Sequence, residues 1–217
     1  MIQTWERART GEQKEIREEE IFTAAKELLL EQGFAEVTLS KIANKVSFSR
    51  ANLYKYYNST EEVYLALLGQ EMLSFSYFFL EKAKRKKLPD SKKQAIIAEF
   101  TKDWVAVTEK QTCLRLLLSM ATTILERNST ETVFIESKKA TTAATITLLE
   151  ALSYYFPKMD EVKSTELLTF LMITLSGLTT STGLSTDQKK VLKKEGMGIM
   201  VLEFKRTYEN LISQYLS

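Results

Sequence analysis

Two prolines, Pro89 and Pro157, and seven glycines are all that a 217-residue chain offers here for breaking regular backbone. Strands need frequent turn residues to reverse direction, whereas Ala, Leu, Glu and Lys, which fill the long intervening stretches, are strong helix formers. The expected fold is therefore all-α. With 44% of its residues hydrophobic, the chain can bury a substantial core.

Apolar spacing divides the N-terminal quarter into short helical pieces. Residues 15–32, EIREEEIFTAAKELLLEQ, place Ile21, Ala24, Ala25, Leu28 and Leu29 on one face, and Gly33 follows as a C-terminal stop. Thr38 is an N-cap candidate for a second helix with Leu39, Ile42, Ala43 and Val46 inside, although Lys41 stands where a capping box would place Glu. After a break at Ser47 and Phe48, Ser49 can cap a third helix, RANLYKYY, with Leu53 and Tyr57 facing in. Asn58 and Ser59 end it, and a long helix begins near Thr60, where Glu61 and Glu62 suit the N-terminal dipole. Further helices are expected over 91–109, 111–127, 131–156, 163–184 and 187–215, with the prolines in loops.

The second and third helices, joined by a turn of three or four residues, have helix-turn-helix spacing. Residues 37–60 carry Lys41, Lys45, Arg50 and Lys55 without a single Asp or Glu, in a chain whose 30 basic residues nearly balance its 28 acidic ones. The basic function is local. A helix that enters the major groove needs cations, amides and hydroxyls at its leading end and no carboxylate near phosphate. Arg50 can make a bidentate contact to guanine and Asn52 to adenine. The plainer alternative, that these cations only solvate two small helices, is opposed by Tyr54, Tyr56 and Tyr57, because so short a helix needs only one or two tyrosines inward.

Absences exclude other chemistry. The chain has no histidine, which removes His-based triads, histidine metal sites and imidazole acid–base catalysis. Its one cysteine, Cys113, sits in the apolar run CLRLLLSM and reads as a core thiol. No catalytic residues, metal site or cofactor are expected. The N-terminal stretch is charged and lacks a signal-peptide core, so a cytoplasmic location is expected. Residues 167–184, LLTFLMITLSGLTTSTGL, are uncharged but rich in Thr, Ser and Gly and lack basic anchors, which favours a buried helix over a membrane span. The basic run EKAKRKKLPDSKK, residues 81–93, reads as a solvated helix end.

Taken together, IFTAAKELLLEQGFAEVTLSKIANKVSFSRANLYKYYNSTEEVYLALL resembles the DNA-binding domain of TetR-family transcriptional regulators. The family pattern runs I-x-x-A-A, G-[YF]-x-x-T-[TS], I-A, G-[VF]-S-x-G-x-[LIV]-Y-x-[HY]-F, then S-K-E-x-[LIV], and the match covers about residues 16–68. The resemblance implies that Thr38 caps its helix and touches phosphate, with Lys41 on the same surface. It implies that Tyr54 and Tyr56 hold the DNA backbone, that Ser49 starts the recognition helix, and that Arg50, Asn52 and Lys55 read sequence. Four positions depart from the pattern: Ser47 and Ala51 replace glycines, Tyr57 replaces Phe, and Thr60 replaces the Lys of S-K-E. Ser47 is expected to make the turn with some strain. Thr60 remains a candidate DNA contact with a weaker hold on phosphate.

The resemblance divides the chain into an N-terminal arm (1–14), a helix-turn-helix domain (15–68) and a helical ligand-binding and dimerisation domain (69–217). It implies a homodimer on a palindromic double-stranded operator, with a small-molecule ligand releasing a repressor. Phe75, Phe78, Phe79, Trp104, Phe134, Tyr154, Phe156, Phe170 and Met172 are candidate walls for the ligand pocket, and the last two long helices are candidates for the dimer contact. A TetR-like adaptor binding a protein partner instead of DNA is the alternative, and it would have little reason to keep residues 37–60 free of acids. An enzyme would lack an evident nucleophile–base pair.

Overall fold

The computed structural model describes residues 11–86 and 93–217, so residues 1–10 of the expected arm and the middle of the basic run lie outside it. Among the described residues there are ten α-helices and no strand. They pack as two units, one made of residues up to Gln70 together with 120–139, the other of 71–119 together with 140–217. The first helical domain thus borrows a segment from far down the chain, which no local pattern announces.

In the first unit, α1 (Gly11–Gln32), α2 (Leu39–Ala43), α3 (Arg50–Leu53) and the start of α4 (Thr60–Lys84) enclose Ile21, Ala25, Ile42, Leu53 and Val63, all fully buried. Gly33 ends α1 with φ 78°, a conformation open to glycine without a Cβ clash, and its N–H donates to Leu29 O. Tyr64 is fully buried and donates its hydroxyl to Ala25 O at 3.1 Å, which ties α4 to α1 without leaving a polar atom unpaired. Tyr57 is buried as expected and reaches Glu18 at 3.5 Å.

The second unit surrounds an aromatic core. In α5 (Lys93–Lys110), Phe100 and Trp104 meet Phe75 and Phe79 of α4 and Tyr155 of α7 (Glu131–Tyr155), and all five rings are essentially inaccessible. Phe79 stacks on Phe75 and on Tyr155, and the other pairs meet edge-on or tilted, with Trp104 4.9 Å from Phe79 and Phe100 5.3 Å from Tyr155. α10 (Phe204–Leu216) packs on α5 and on α8 (Glu161–Thr182). There Tyr208 accepts from Trp104 Nε1 at 2.8 Å and donates to Leu171 O at 2.7 Å, so both polar ring atoms are satisfied at full burial. Cys113, on α6 (Thr112–Met120), is buried.

Two expected helices are shorter than their patterns. The helix over 111–127 ends as α6 at Met120 and widens into a π turn, Ala121–Leu125, followed by a 3₁₀ turn, Glu126–Asn128. Asn128 and Ser129 side chains then donate to Ile124 O and Leu125 O and absorb the free carbonyls. The helix over 187–215 is really α9 (Thr186–Lys194) and α10. Gly196, at φ 73°, makes the break: its N–H bonds Lys193 O while Met197 N bonds Leu192 O, a Schellman end. α9 itself opens on a complete capping box between Ser185 and Gln188.

Among the described helices, α4 alone is long and apolar enough to cross a membrane by itself, and 61% of its apolar window is buried in protein. α8, which carries the uncharged run, passes the same test only jointly with α9, from which it is bent by 74°.

Candidate nucleic-acid interface

Thr38 takes extended backbone before α2, and its Oγ1 accepts from Lys41 N at 3.3 Å. The cap is half made, as the missing Glu implied. Lys41 Nζ lies over the same corner, donating to Gln32 Oε1 and to Glu36 O. Lys45 is not the uncompensated cation that residues 37–60 suggest. It pairs with Glu27 at 3.1 Å and Glu31 at 3.6 Å across from α1, and the Glu27 hydrogen bond, outweighing partial desolvation, raises its pKa.

The turn before α3 departs from expectation. No described residue other than glycine has a positive φ, so Ser47 takes an ordinary backbone conformation without strain. Its N–H and Oγ both donate to Glu20 Oε2, at 3.1 and 2.7 Å. The serine replaces the freedom of a glycine with two hydrogen bonds to α1. Ser49 occupies the N-cap position of α3 with extended backbone but makes no side-chain capping bond, which leaves its hydroxyl for another acceptor.

α3 presents a compact polar face. Arg50 Nη2 donates to Tyr54 OH at 3.0 Å with its guanidinium 5.5 Å from the ring centre, and Lys55 Nζ donates to Asn52 Oδ1 at 3.1 Å. The Arg50 hydrogen bond lowers the pKa of the Tyr54 phenol, making it a stronger donor. Since Arg50 uses the phenol oxygen as acceptor, the Tyr54 proton remains available to a phosphate. Tyr54 is 42% exposed and Lys55 and Arg50 are exposed, while Tyr56, half-buried, lies against Phe48. Thr60 begins α4, half-buried.

One residue of this head, Glu62, expected only to suit the dipole of α4, has a larger structural part. Glu62 is 2% exposed, yet it is an ionised carboxylate in a complete cradle: Oε2 accepts from Asn58 N at 2.6 Å and Asn58 Nδ2 at 3.2 Å, and Oε1 accepts from Thr130 N at 3.0 Å. Burial pushes its pKa up, but these donors outweigh it and the net shift is downward. Ser59 Oγ also accepts from Glu62 N at 3.1 Å. The S-x-x-E spacing of Ser59 and Glu62 is a capping-box signal that could have pointed here. Glu62→Gln would set an NH₂ against one of those donors. It should cost about 2 kcal/mol locally, seen as roughly thirtyfold faster hydrogen exchange at the Thr130 amide. Unchanged protection would mean that the carboxylate does not hold this loop.

In the second unit, a cleft of about 1140 Å³ opens between the start of α5, the connection from α7 to α8 and the end of α10. Of the nine residues expected in a pocket, Tyr154 and Phe156 line it. Phe75 and Trp104 lie in the aromatic core, Phe78 is 59% exposed, and Phe170 stacks on Tyr215 at 4.1 Å. Phe134 lies in the first unit beneath Lys138 Nζ at 5.3 Å. Phe79 is also core, whereas Phe156 lines the cleft. Met172 is half-buried on α8.

Comparison with known proteins agrees with this layout. Residues 21–67 match the family of bacterial regulatory proteins called the tetR family, and residues 80–217 match the tetracyclin repressor-like C-terminal domain. An uncharacterised HTH-type transcriptional regulator of Bacillus subtilis, YfiR, is 36% identical over 59 residues. That match takes in 27% of this chain and 29% of YfiR, so less than a third of that relative's length is spanned. The fatty acid degradation regulator FadR of Bacillus halodurans shares the fold with TM-score 0.54 and 18% identity, over 92% of this chain and 94% of its own. FadR of Thermus thermophilus, a TetR-family repressor solved with lauroyl-CoA, does so with TM-score 0.53 and 20% identity, over 86% and 97%. At such identities the likeness is one of fold. A helix-turn-helix head with an exposed, acid-free α3 and a C-terminal half that matches throughout leave one assignment: this chain is a transcriptional regulator of the TetR family.

Proposed function

We propose that the protein is a homodimeric, sequence-specific DNA-binding repressor whose hold on its operator is released by a small-molecule ligand. The observation that carries this reading is the exposed face of α3, where Arg50, Asn52, Tyr54 and Lys55 stand together with no carboxylate among them. Arg50 and Asn52 are suited to base edges, Thr38, Ser49, Tyr54, Tyr56 and Thr60 to the backbone. Lys41 would exchange its neutral oxygen partners for a phosphate, whereas Lys45, held by two glutamates, contributes little.

Two copies would place their α3 helices in successive major grooves, roughly 34–36 Å apart, on an imperfect palindrome. Apolar side chains left in solvent support a self-association surface in the C-terminal half: Ile173 on α8 is 66% exposed and Ile199, before α10, is 92% exposed. A ligand would act by favouring one spacing of the two heads over the other. The Thermus FadR complex with lauroyl-CoA makes such a ligand reasonable for this chain. The regulator would work in the cytoplasm, where its DNA is.

Selection of bound fragments from random genomic DNA at two salt concentrations tests the reading. A palindrome should be enriched. Arg50→Ala should lose about 2 kcal/mol and relax preference at one base per half-site, while Tyr54→Phe should weaken all sites alike. Weak, salt-labile and sequence-blind binding, or a monomer holding a single half-site equally tightly, would overturn it.

A further inference from the structure

We propose that Lys55 sets which base Asn52 reads: by holding the amide oxygen, it turns Asn52 from an adenine reader into half of a donor-only pair that selects guanine. This rests on the reading of the protein as a sequence-specific DNA-binding regulator and names a specificity-determining residue on its α3 face.

The hydrogen bond between the two side chains has only one possible sense. Lys55 Nζ lies 3.1 Å from Asn52 Oδ1, across three residues of chain. An ammonium has donors and no acceptor, so it can hold the oxygen of an amide and never its NH₂. The amide is planar, and fixing the oxygen turns the two Nδ2 donors away from Lys55. Asn52 is half-buried, with less freedom to swing than an exposed amide, while Lys55 stands outside it in solvent. Among the described residues Lys55 has no carboxylate to draw it off, and Asn52 Nδ2 has no partner.

What the pair offers a base edge follows from these atoms. A free asparagine suits adenine because its oxygen accepts from N6–H while its NH₂ donates to N7. With Oδ1 already accepting from a cation, the oxygen is a poorer acceptor and the NH₂ a better donor. The ammonium keeps further N–H groups beside it. Two neighbouring donors match guanine, which shows two acceptors, N7 and O6, in the major groove. The N6 amino group of adenine and the N4 amino group of cytosine would each meet a donor, and thymine offers O4 beside a methyl group. The pair is formed before DNA arrives, so presenting it costs no rearrangement on binding. If Lys55 left for a phosphate instead, Oδ1 would be free and adenine would be restored.

Selection from a fully randomised duplex library tests the assignment, with wild type, Asn52→Ala, Arg50→Ala, Lys55→Met and Lys55→Arg side by side. The position that loses its preference in Asn52→Ala marks the base that Asn52 reads. Wild type should favour guanine over adenine there about tenfold. Lys55→Met, similar in length but without donors, should shift the same position to adenine by about the same factor. Lys55→Arg keeps a donor-only cation and should keep guanine. The position marked by Arg50→Ala should stay unchanged in both Lys55 variants, because the Arg50 guanidinium is held by Tyr54 and not by Lys55. Three results would overturn the proposal and leave the DNA-binding reading standing: adenine at the Asn52 position in wild type, a Lys55→Met variant that weakens every site alike with its base preference unchanged, or a palindrome indifferent to Asn52→Ala. Enrichment of no sequence by the wild type would remove the DNA-binding reading, and this proposal with it.

Discussion

Replacing Trp104 with alanine should lower the unfolding free energy of the second unit by about 4 kcal/mol, among the largest losses any single substitution in this chain can produce. Trp104 has no accessible surface, and its indole contacts the rings of Phe75, Phe79 and Phe100 at 4.9–6.0 Å between centroids. Truncation leaves a cavity lined by rigid rings that cannot collapse into it, and removes the donor to Tyr208. Trp104→Phe separates the two contributions. It keeps an aromatic filler and loses the indole N–H, and Tyr208 still donates to Leu171 O, so its cost should be nearer 1 kcal/mol. Urea unfolding followed by far-UV circular dichroism, with attention to a separate transition for each unit, reads both. A loss below about 1 kcal/mol for the alanine variant would mean that the ring cluster is loosely packed, and the interior would again compete with the cleft as a place for a ligand.

That competition marks how far the chain could be read before its structure. The all-α class, the cap at Thr38, the stop at Gly33 and the acid-free α3 were legible because each depends on residues within a turn or two of one another. Three other features depend on distant chain segments coming together. Lys45 looked unpaired until α1 brought Glu27 and Glu31 to it. Ser47 looked like a strained substitute for glycine until Glu20 supplied an acceptor for its N–H and hydroxyl. The cleft could not be found from aromatic residues, because aromatic side chains are the ones that most reward full burial, and Phe75 and Trp104 accordingly went to the core. The break at Gly196 was the exception. It was local, and the glycine itself was the signal, overridden by the apolar period around it.

Asp103→Asn should cost about 3 kcal/mol at neutral pH and should flatten the acid limb of the stability curve. Asp103 is 4% exposed on α5, with Oδ1 3.0 Å from Lys82 Nζ and Oδ2 shared between Lys86 Nζ and the hydroxyl of Tyr155, the latter at 2.8 Å. Burial alone would raise its pKa, but the two ammoniums and the phenol overcome burial and hold the carboxyl below its ordinary range. The same burial, with the Asp103 charge beside it, pushes the Tyr155 phenol up and keeps it a neutral donor. A carboxyl whose pKa is depressed on folding stabilises the native state fully above its unfolded value, about 3.9, and loses that contribution as pH falls through the native value. The wild type should therefore lose stability steeply below about pH 4, and the asparagine variant less steeply. The neutral-pH cost arises because asparagine leaves two ammoniums facing an amide. Both still reach solvent, so the loss should sit at the lower end of the roughly 3–5 kcal/mol typical of a broken buried pair. Urea midpoints of both proteins between pH 3 and pH 8 decide the matter. Parallel curves would show that the Asp103 carboxyl titrates alike in the folded and unfolded chain and contributes nothing through its charge. A converging pair would establish that this carboxylate fastens Lys82 and Lys86 to α5.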